Sequence, residues 1–185
     1  MTGTASLQAT PLVVDGVMYT SGVPGSIYAL DARTGEKLWA KPLQIAKGIV
    51  VFYLLAAEDK VFLASSASGK YHLYAFSAAD GKSLWESAHD WTKDNHGGHL
   101  QHPVVVRNTV FLEPCGYDAS TGKLLTQEIG RHGGCATYTA TLNALLYRGD
   151  GGCISMWDIN RKTVSGWYNL RPSCWLSTVP ANGMV

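Results

Sequence analysis

Three of the six histidines fall in one short segment, Asp94-Asn95-His96-Gly97-Gly98-His99-Leu100-Gln101-His102-Pro103, with His89, Asp90 and Trp91 just upstream. Imidazole is a common transition-metal ligand, and glycines let a loop fold so that several rings converge on one ion. His96, His99 and His102 are therefore candidate metal ligands, with Arg131 and His132 from a later stretch as second contributors. A single loop lacks the fixed i,i+4 spacing that makes a helical HExxH pair specific. Histidines in such a loop also cap backbone groups and pack on aromatic rings, so the structural alternative stands beside the metal one.

The four cysteines, Cys115, Cys135, Cys153 and Cys174, form no CxxC, no CxxCH and no adjacent pair. This argues against a zinc ribbon, a thioredoxin-type motif and covalent haem attachment. An even number permits disulfides in an oxidising compartment, and small buried hydrophobes are the alternative. Cys135 and Cys174 each open a repeat unit, so neighbouring strands would bring them together; a bridge needs their Cα atoms within about 7 Å. Arg131, His132, Cys135, Arg171, Cys174 and Trp175 are candidate residues lining a channel. Gly149-Asp150-Gly151-Gly152 is a glycine-rich turn with no helix after it to bind a phosphate. No Gly-x-Ser-x-Gly elbow or paired-carboxylate motif is present.

Whatever these residues do, something must position them, and a repeated phrase of eleven residues supplies the frame. Residues 29–39 read ALDARTGEKLW, 75–85 read AFSAADGKSLW and 116–126 read GYDASTGKLLT. The turn glycines Gly35, Gly81 and Gly122 are 46 and then 41 residues apart. Short strands repeating at 40–50 residues predict an all-β fold, a partial β-propeller of about four four-stranded blades. The units run over residues 10–40, 49–86, 102–126 and 135–167, and a truncated fifth starts near residue 173. Asp15-Gly16 between alternating apolar residues marks the first hairpin. In the fourth unit the turn is degraded to Asn160-Arg161-Lys162. Each glycine supplies a positive φ, the small residue opening each phrase lets a ring approach, and the closing tryptophan covers the joint between blades.

Composition, with twenty glycines, six tryptophans and nine tyrosines, agrees with an all-β domain of tight turns and aromatic packing. Hydrophobic residues make up 46%, charged residues 16%, and the formal net charge is +1, so nucleic acid is not an expected partner. The longest apolar run, residues 49–57, falls far short of the roughly 18 needed for a membrane span. The N-terminus has no basic region followed by an apolar core, so it is not a secretory signal. Both ends read as cut, which suggests a segment of a longer protein. An open arc of blades is expected to expose strand edges at both ends and to self-associate.

The phrase A-x-D-x-x-T-G-x-x-x-W resembles the tryptophan docking motif of pyrroloquinoline-quinone-type propeller repeats. It is close in Ala29, Asp31, Gly35 and Trp39, good in Ala75, Gly81 and Trp85, and partial around Gly122, where Thr126 replaces the tryptophan. RHGGCATYTAT and RPSCWLSTVPANGMV also resemble the middle of large bacterial proteins carrying this repeat. The resemblance implies a periplasmic or extracellular protein. It admits two roles: a quinone- and calcium-dependent alcohol or sugar dehydrogenase, or a cofactor-free relative such as a lipoprotein assisting outer-membrane barrel assembly. In the dehydrogenases the quinone lies between a tryptophan and a disulfide of adjacent cysteines, with an aspartate as base. This chain has no adjacent cysteines, and no aspartate matches the base by local motif. The expectation is a non-catalytic scaffold binding a protein partner or small ligand at one propeller face, with the remaining blades of the parent protein as neighbours.

Overall fold

A computed structural model describes residues 10–22, 25–43, 51–91, 102–127, 129, 137–149, 152–171 and 178–181. They form sixteen strands in four antiparallel sheets of four, each a simple meander. The first sheet holds β1 (Leu12–Val14), β2 (Val17–Gly22), β3 (Ser26–Asp31) and β4 (Lys37–Pro42). The second holds β5 (Val51–Ala57), β6 (Lys60–Ala67), β7 (Lys70–Ser77) and β8 (Ser83–Asp90). The third holds β9 (Val104–Val106), β10 (Thr109–Leu112), β11 (Cys115–Asp118) and β12 (Leu124–Thr126). The fourth holds β13 (Thr139–Ala140), β14 (Ala144–Arg148), β15 (Ile154–Asp158) and β16 (Thr163–Trp167). This is the partial propeller expected. Among the described residues no helix is long and apolar enough to cross a membrane.

The repeated phrase becomes one structural device. Gly35 N donates to Asp31 O at 2.8 Å, Gly81 N to Ser77 O at 2.9 Å, Gly122 N to Asp118 O at 2.8 Å and Lys162 N to Asp158 O at 2.8 Å. The four turning residues have φ of 75°, 70°, 72° and 56°. The degraded fourth turn therefore keeps its geometry, with lysine held in the left-handed region that glycine enters without strain. Aspartate closes the turn from the side: Asp31 Oδ1 accepts from Arg33 N and Thr34 N at 2.9 and 2.7 Å, and Asp118 Oδ1 from Ser120 N and Thr121 N at 3.0 and 2.8 Å. The Thr121 hydroxyl, which also donates to Asp118 Oδ1 at 2.9 Å, and these amide bonds favour the charged carboxylates and hold both pKa values below the ordinary range.

Register places one row of side chains across each sheet, in the first three on the face turned to the next sheet and in the fourth on the face away from the third. The rows are Leu12–Tyr19–Ala29–Trp39, Leu55–Phe62–Ala75–Trp85, Val104–Phe111–Gly116–Thr126 and Thr139–Leu146–Met156–Ser165. The small third member lets the rings beside it come together: Tyr19 and Trp39 lie 6.0 Å apart by centroid, Phe62 and Trp85 5.9 Å. In the first three sheets a bulge after the small residue brings the fourth member into this row; the last sheet has no such bulge.

Consecutive sheets pack face to face. Tyr19, Ala29 and Val61 join the first two, Phe62, Ala75, Leu112 and Tyr117 the second and third, and Phe111, Leu145 and Trp157 the third and fourth. One detail extends the repeated phrase, and another departs from the sequence reading. β4 and β8 run past their tryptophans to Pro42 and Asp90, because pairing continues to the far ends of β3 and β7. The first sheet also presents a face rather than strand edges, since stacking buries faces: Val13 is 61% exposed on the side away from the second sheet.

Candidate functional site

The joints between sheets come first, because they place everything else. Trp39 leaves β4 and lies on the turn of the second sheet, where its Nε1–H donates to Ala78 O at 2.9 Å. Trp85 repeats this one sheet on, donating to Ala119 O at 3.0 Å. A Cβ added at Gly81 would lie 2.7 Å from Trp39 Cε3, and one at Gly122 2.7 Å from Trp85 Cδ2. The glycines at these two turns thus serve both the positive φ and the approach of an indole. Gly35 has the same φ and nothing within 4 Å of an added Cβ.

At the opposite end of the second joint lies a buried polar chain. His89, on β8, places Nε2 2.7 Å from Glu113 O and Nδ1 2.7 Å from the Tyr117 hydroxyl. A carbonyl only accepts, so Nε2 carries the proton and Nδ1 accepts from Tyr117 O–H. The Cys115 thiol hydrogen-bonds Tyr117 in turn. Cys115 and Tyr117 are buried, and Tyr71 packs its ring 5.4 Å from His89. Burial drives the His89 pKa down, against the Glu113 carbonyl bond that supports the proton. Burial also pushes the Cys115 thiol and the Tyr117 phenol up. All three groups are therefore neutral near pH 7. Beside them opens a hollow of about 410 Å³ lined by Lys70, Ala88, His89, Asp90, Pro114, Cys115 and Gln127. Lys70 and Asp90 pair across its rim at 2.6 Å.

His102 stands just before β9 and ties three sheets together. Its ring centroid is 3.5 Å from that of Tyr53 on β5. Its backbone N–H donates to Thr137 Oγ1 at 3.0 Å, and that hydroxyl donates back to His102 O at 3.1 Å. Although the residue keeps exposed surface, covering of the ring lowers its pKa. Arg171 is exposed just beyond β16. His96, His99, Arg131, His132, Cys135, Cys174 and Trp175 lie outside the described residues. Sequence reading noted His89 only as a neighbour of the histidine loop and singled out neither Tyr117 nor Glu113. Their contacts join residues 28 and 24 positions apart across two sheets, which no local spacing displays.

The described residues do not fit a quinone sandwiched between an indole and a disulfide of neighbouring cysteines. The two described cysteines, Cys115 and Cys153, are buried free thiols, and no two cysteines of the chain are adjacent in sequence.

A family model described as outer membrane protein assembly factor BamB, of the PQQ type, matches residues 2–141. The chain belongs to this PQQ-type β-propeller repeat family. It is 30% identical over 142 residues to quinohemoprotein alcohol dehydrogenase of Comamonas testosteroni, a match covering 65% of this chain and 19% of that protein. It is 33% identical over 67 residues to outer membrane protein assembly factor BamB of Yersinia pestis, covering 34% of this chain and 17% of the factor. The chain thus matches about a fifth or less of the length of these relatives. The crystal structure of the Comamonas testosteroni dehydrogenase superposes with a TM-score of 0.63 at 20% identity, over 90% of this chain and 35% of that one. The family therefore contains both a dehydrogenase and an assembly factor.

Proposed function

We propose that this chain is a non-catalytic PQQ-type propeller scaffold, working outside the cytoplasm, that binds a protein partner or small ligand at one propeller face. The observation that carries the reading is the His89 chain. Its hydrogen-bonding groups satisfy one another between two sheets, from Cys115 through Tyr117 and His89 to the Glu113 carbonyl. To protonate, His89 would have to reverse the Tyr117 bond and carry a charge in a buried joint, which suits a structural tie better than a general base. The hollow beside it, edged by the Lys70–Asp90 pair, offers a polar binding surface on that face. The family match to an outer membrane assembly factor favours a partner-binding role and an extracytoplasmic location.

A quinone-dependent alcohol or sugar oxidoreductase is the second reading, favoured by the longer stretch of identity to the Comamonas testosteroni dehydrogenase. One experiment separates the two. The protein in its full natural length is titrated with pyrroloquinoline quinone and calcium, followed by thermal unfolding and by dye-linked oxidation of alcohols and sugars. A scaffold shows an unchanged Tm and no quinone-dependent turnover. A Tm rising with quinone concentration, as mass action requires of a ligand bound by the native state, together with turnover, would overturn the proposal.

A further inference from the structure

The third joint differs from the first two at both of its contact positions. Thr126 stands in the register of Trp39 and Trp85, and Lys162 stands at the turn position of Gly81 and Gly122. The turn itself is unchanged: Ile159 N donates to Asn143 O at 2.9 Å, as Ala78 N does to Asp59 O and Ala119 N to Asn108 O, both at 2.9 Å. What is missing is the ring. In its place is an open hollow of about 240 Å³ lined by Leu124, Leu125, Thr126, Gln127 and Lys162. Leu124 and Leu125 are 43% and 50% exposed beside it.

We infer that this notch between the third and fourth sheets receives an indole, the side chain of a tryptophan presented by a partner polypeptide. The inference rests on the partner-binding reading above and names one place where it acts. The same molecule twice seats an indole at the equivalent joint, over Gly81 and over Gly122. A tryptophan at residue 126 would be fixed by its own backbone and driven onto the Lys162 Cβ, as the 2.7 Å approach at Gly81 and Gly122 shows. A ring arriving from another chain is not tethered. It can stand off by about an ångström, within ordinary van der Waals contact, and lie along the Lys162 stem. There the ammonium adds a cation–π attraction that the glycine turns lack. Because β12 is the outer strand of its sheet among the described residues, an extended peptide can run alongside it and lower a side chain into the notch.

The test uses the ¹⁵N-labelled chain, titrated with N-acetyl-L-tryptophanamide and then with a short serine-rich peptide holding one tryptophan, with N-acetyl-L-alaninamide as control. Saturable shifts are expected at the amides of residues 124–127 and 162, with an amide Kd on the order of millimolar and a tighter peptide. The double variant Thr126→Trp/Lys162→Gly restores the internal ring and should weaken binding by about tenfold or more. Leu125→Glu, an exposed change that leaves the sheet core alone, should weaken it as well and covers the case in which the double variant fails to fold. Absence of saturable shifts at those amides, or shifts that both variants leave unchanged, would overturn the inference. Such a failure is distinguishable from failure of the scaffold reading, which the quinone titration decides.

Discussion

Replacing the three turn glycines by alanine, one at a time, separates two demands that the sequence motif combines. All three sit near φ = +70°, so each alanine incurs the left-handed penalty of about 1–2 kcal/mol. At Gly35 that is the whole cost, because nothing lies within 4 Å of the new methyl. At Gly81 the methyl meets Trp39 at 2.7, 3.0 and 3.0 Å, and at Gly122 it meets Trp85 at 2.7, 2.7 and 3.0 Å. Overpacking of this kind adds about 1–3 kcal/mol, since each ring is held by a hydrogen bond to the turn it covers. The expected order is a loss of about 1–2 kcal/mol for Gly35→Ala and about 2–5 kcal/mol for Gly81→Ala and Gly122→Ala. Urea unfolding followed by far-UV circular dichroism measures it without relying on the tryptophans. A Trp85→Ala/Gly122→Ala cycle completes the argument. With the ring gone, Gly122→Ala should fall back to the Gly35 value, leaving a coupling of about 1–3 kcal/mol. Equal losses at the three glycines, or a coupling near zero, would refute the claim that the tryptophans lie on these turns.

Four further outcomes can be checked. His89 has a depressed pKa, so the unfolded chain takes up a proton first as pH falls through about 6.5, and stability present above that pH declines until the folded pKa is passed. Thermal melts between about pH 5 and 8 should show this decline, and His89→Gln should flatten it apart from the share of His102, which shifts the same way; an unaltered slope would count against the half-buried neutral imidazole. Cys115 and Cys153 should resist iodoacetamide in the native protein and react once it is unfolded, so rapid native labelling read by mass spectrometry would contradict their burial. The exposed apolar face of the first sheet should make this chain self-associate at high concentration, and a clean monomer by light scattering would show that this face is covered. For the histidine loop, metal analysis of the wild type and of a His96→Ala/His99→Ala/His102→Ala variant is decisive: metal bound by the first and lost by the second supports a site, and equal content ends the idea.

The fold was legible because its local rules recur within sight of one another. Strand, Asp-Gly or Thr-Gly turn and tryptophan lie within eleven residues, so the phrase at residues 29–39 predicts its own turn and the φ of Gly35. Even the fourth turn, where the spelling has decayed to Asn160-Arg161-Lys162, keeps the Asp158 bond and the positive φ, so backbone geometry outlasts the residues that favour it. The site was less legible. His89 and Tyr117 meet because β8 of one sheet faces β11 of the next, and only the packing angle of two sheets decides which polar side chains touch. A local pattern draws attention to clustered histidines, whereas the imidazole fully engaged by hydrogen bonds lies upstream of that cluster and carries no motif.

The two losses at the third joint support the structural logic of the repeat. If tryptophan and glycine were retained for separate reasons, each could be replaced without the other. Here Thr126 and Lys162 are both changed, on different sheets and 36 residues apart, while the turn around Lys162 keeps its hydrogen bond. Once the indole is absent, nothing presses on the turn, and a side chain there costs only its backbone strain, about 1–2 kcal/mol. The packing is not simply abandoned. Phe111 leans over Gly116, where a Cβ would lie 2.9 Å from the ring and 3.0 Å from the Thr126 methyl, and Trp157 enters the same joint from the fourth sheet. Introducing tryptophan at residue 126 alone should therefore destabilise the protein, and Lys162→Gly should relieve that loss. A single Thr126→Trp variant as stable as wild type would mean that the two positions do not face each other.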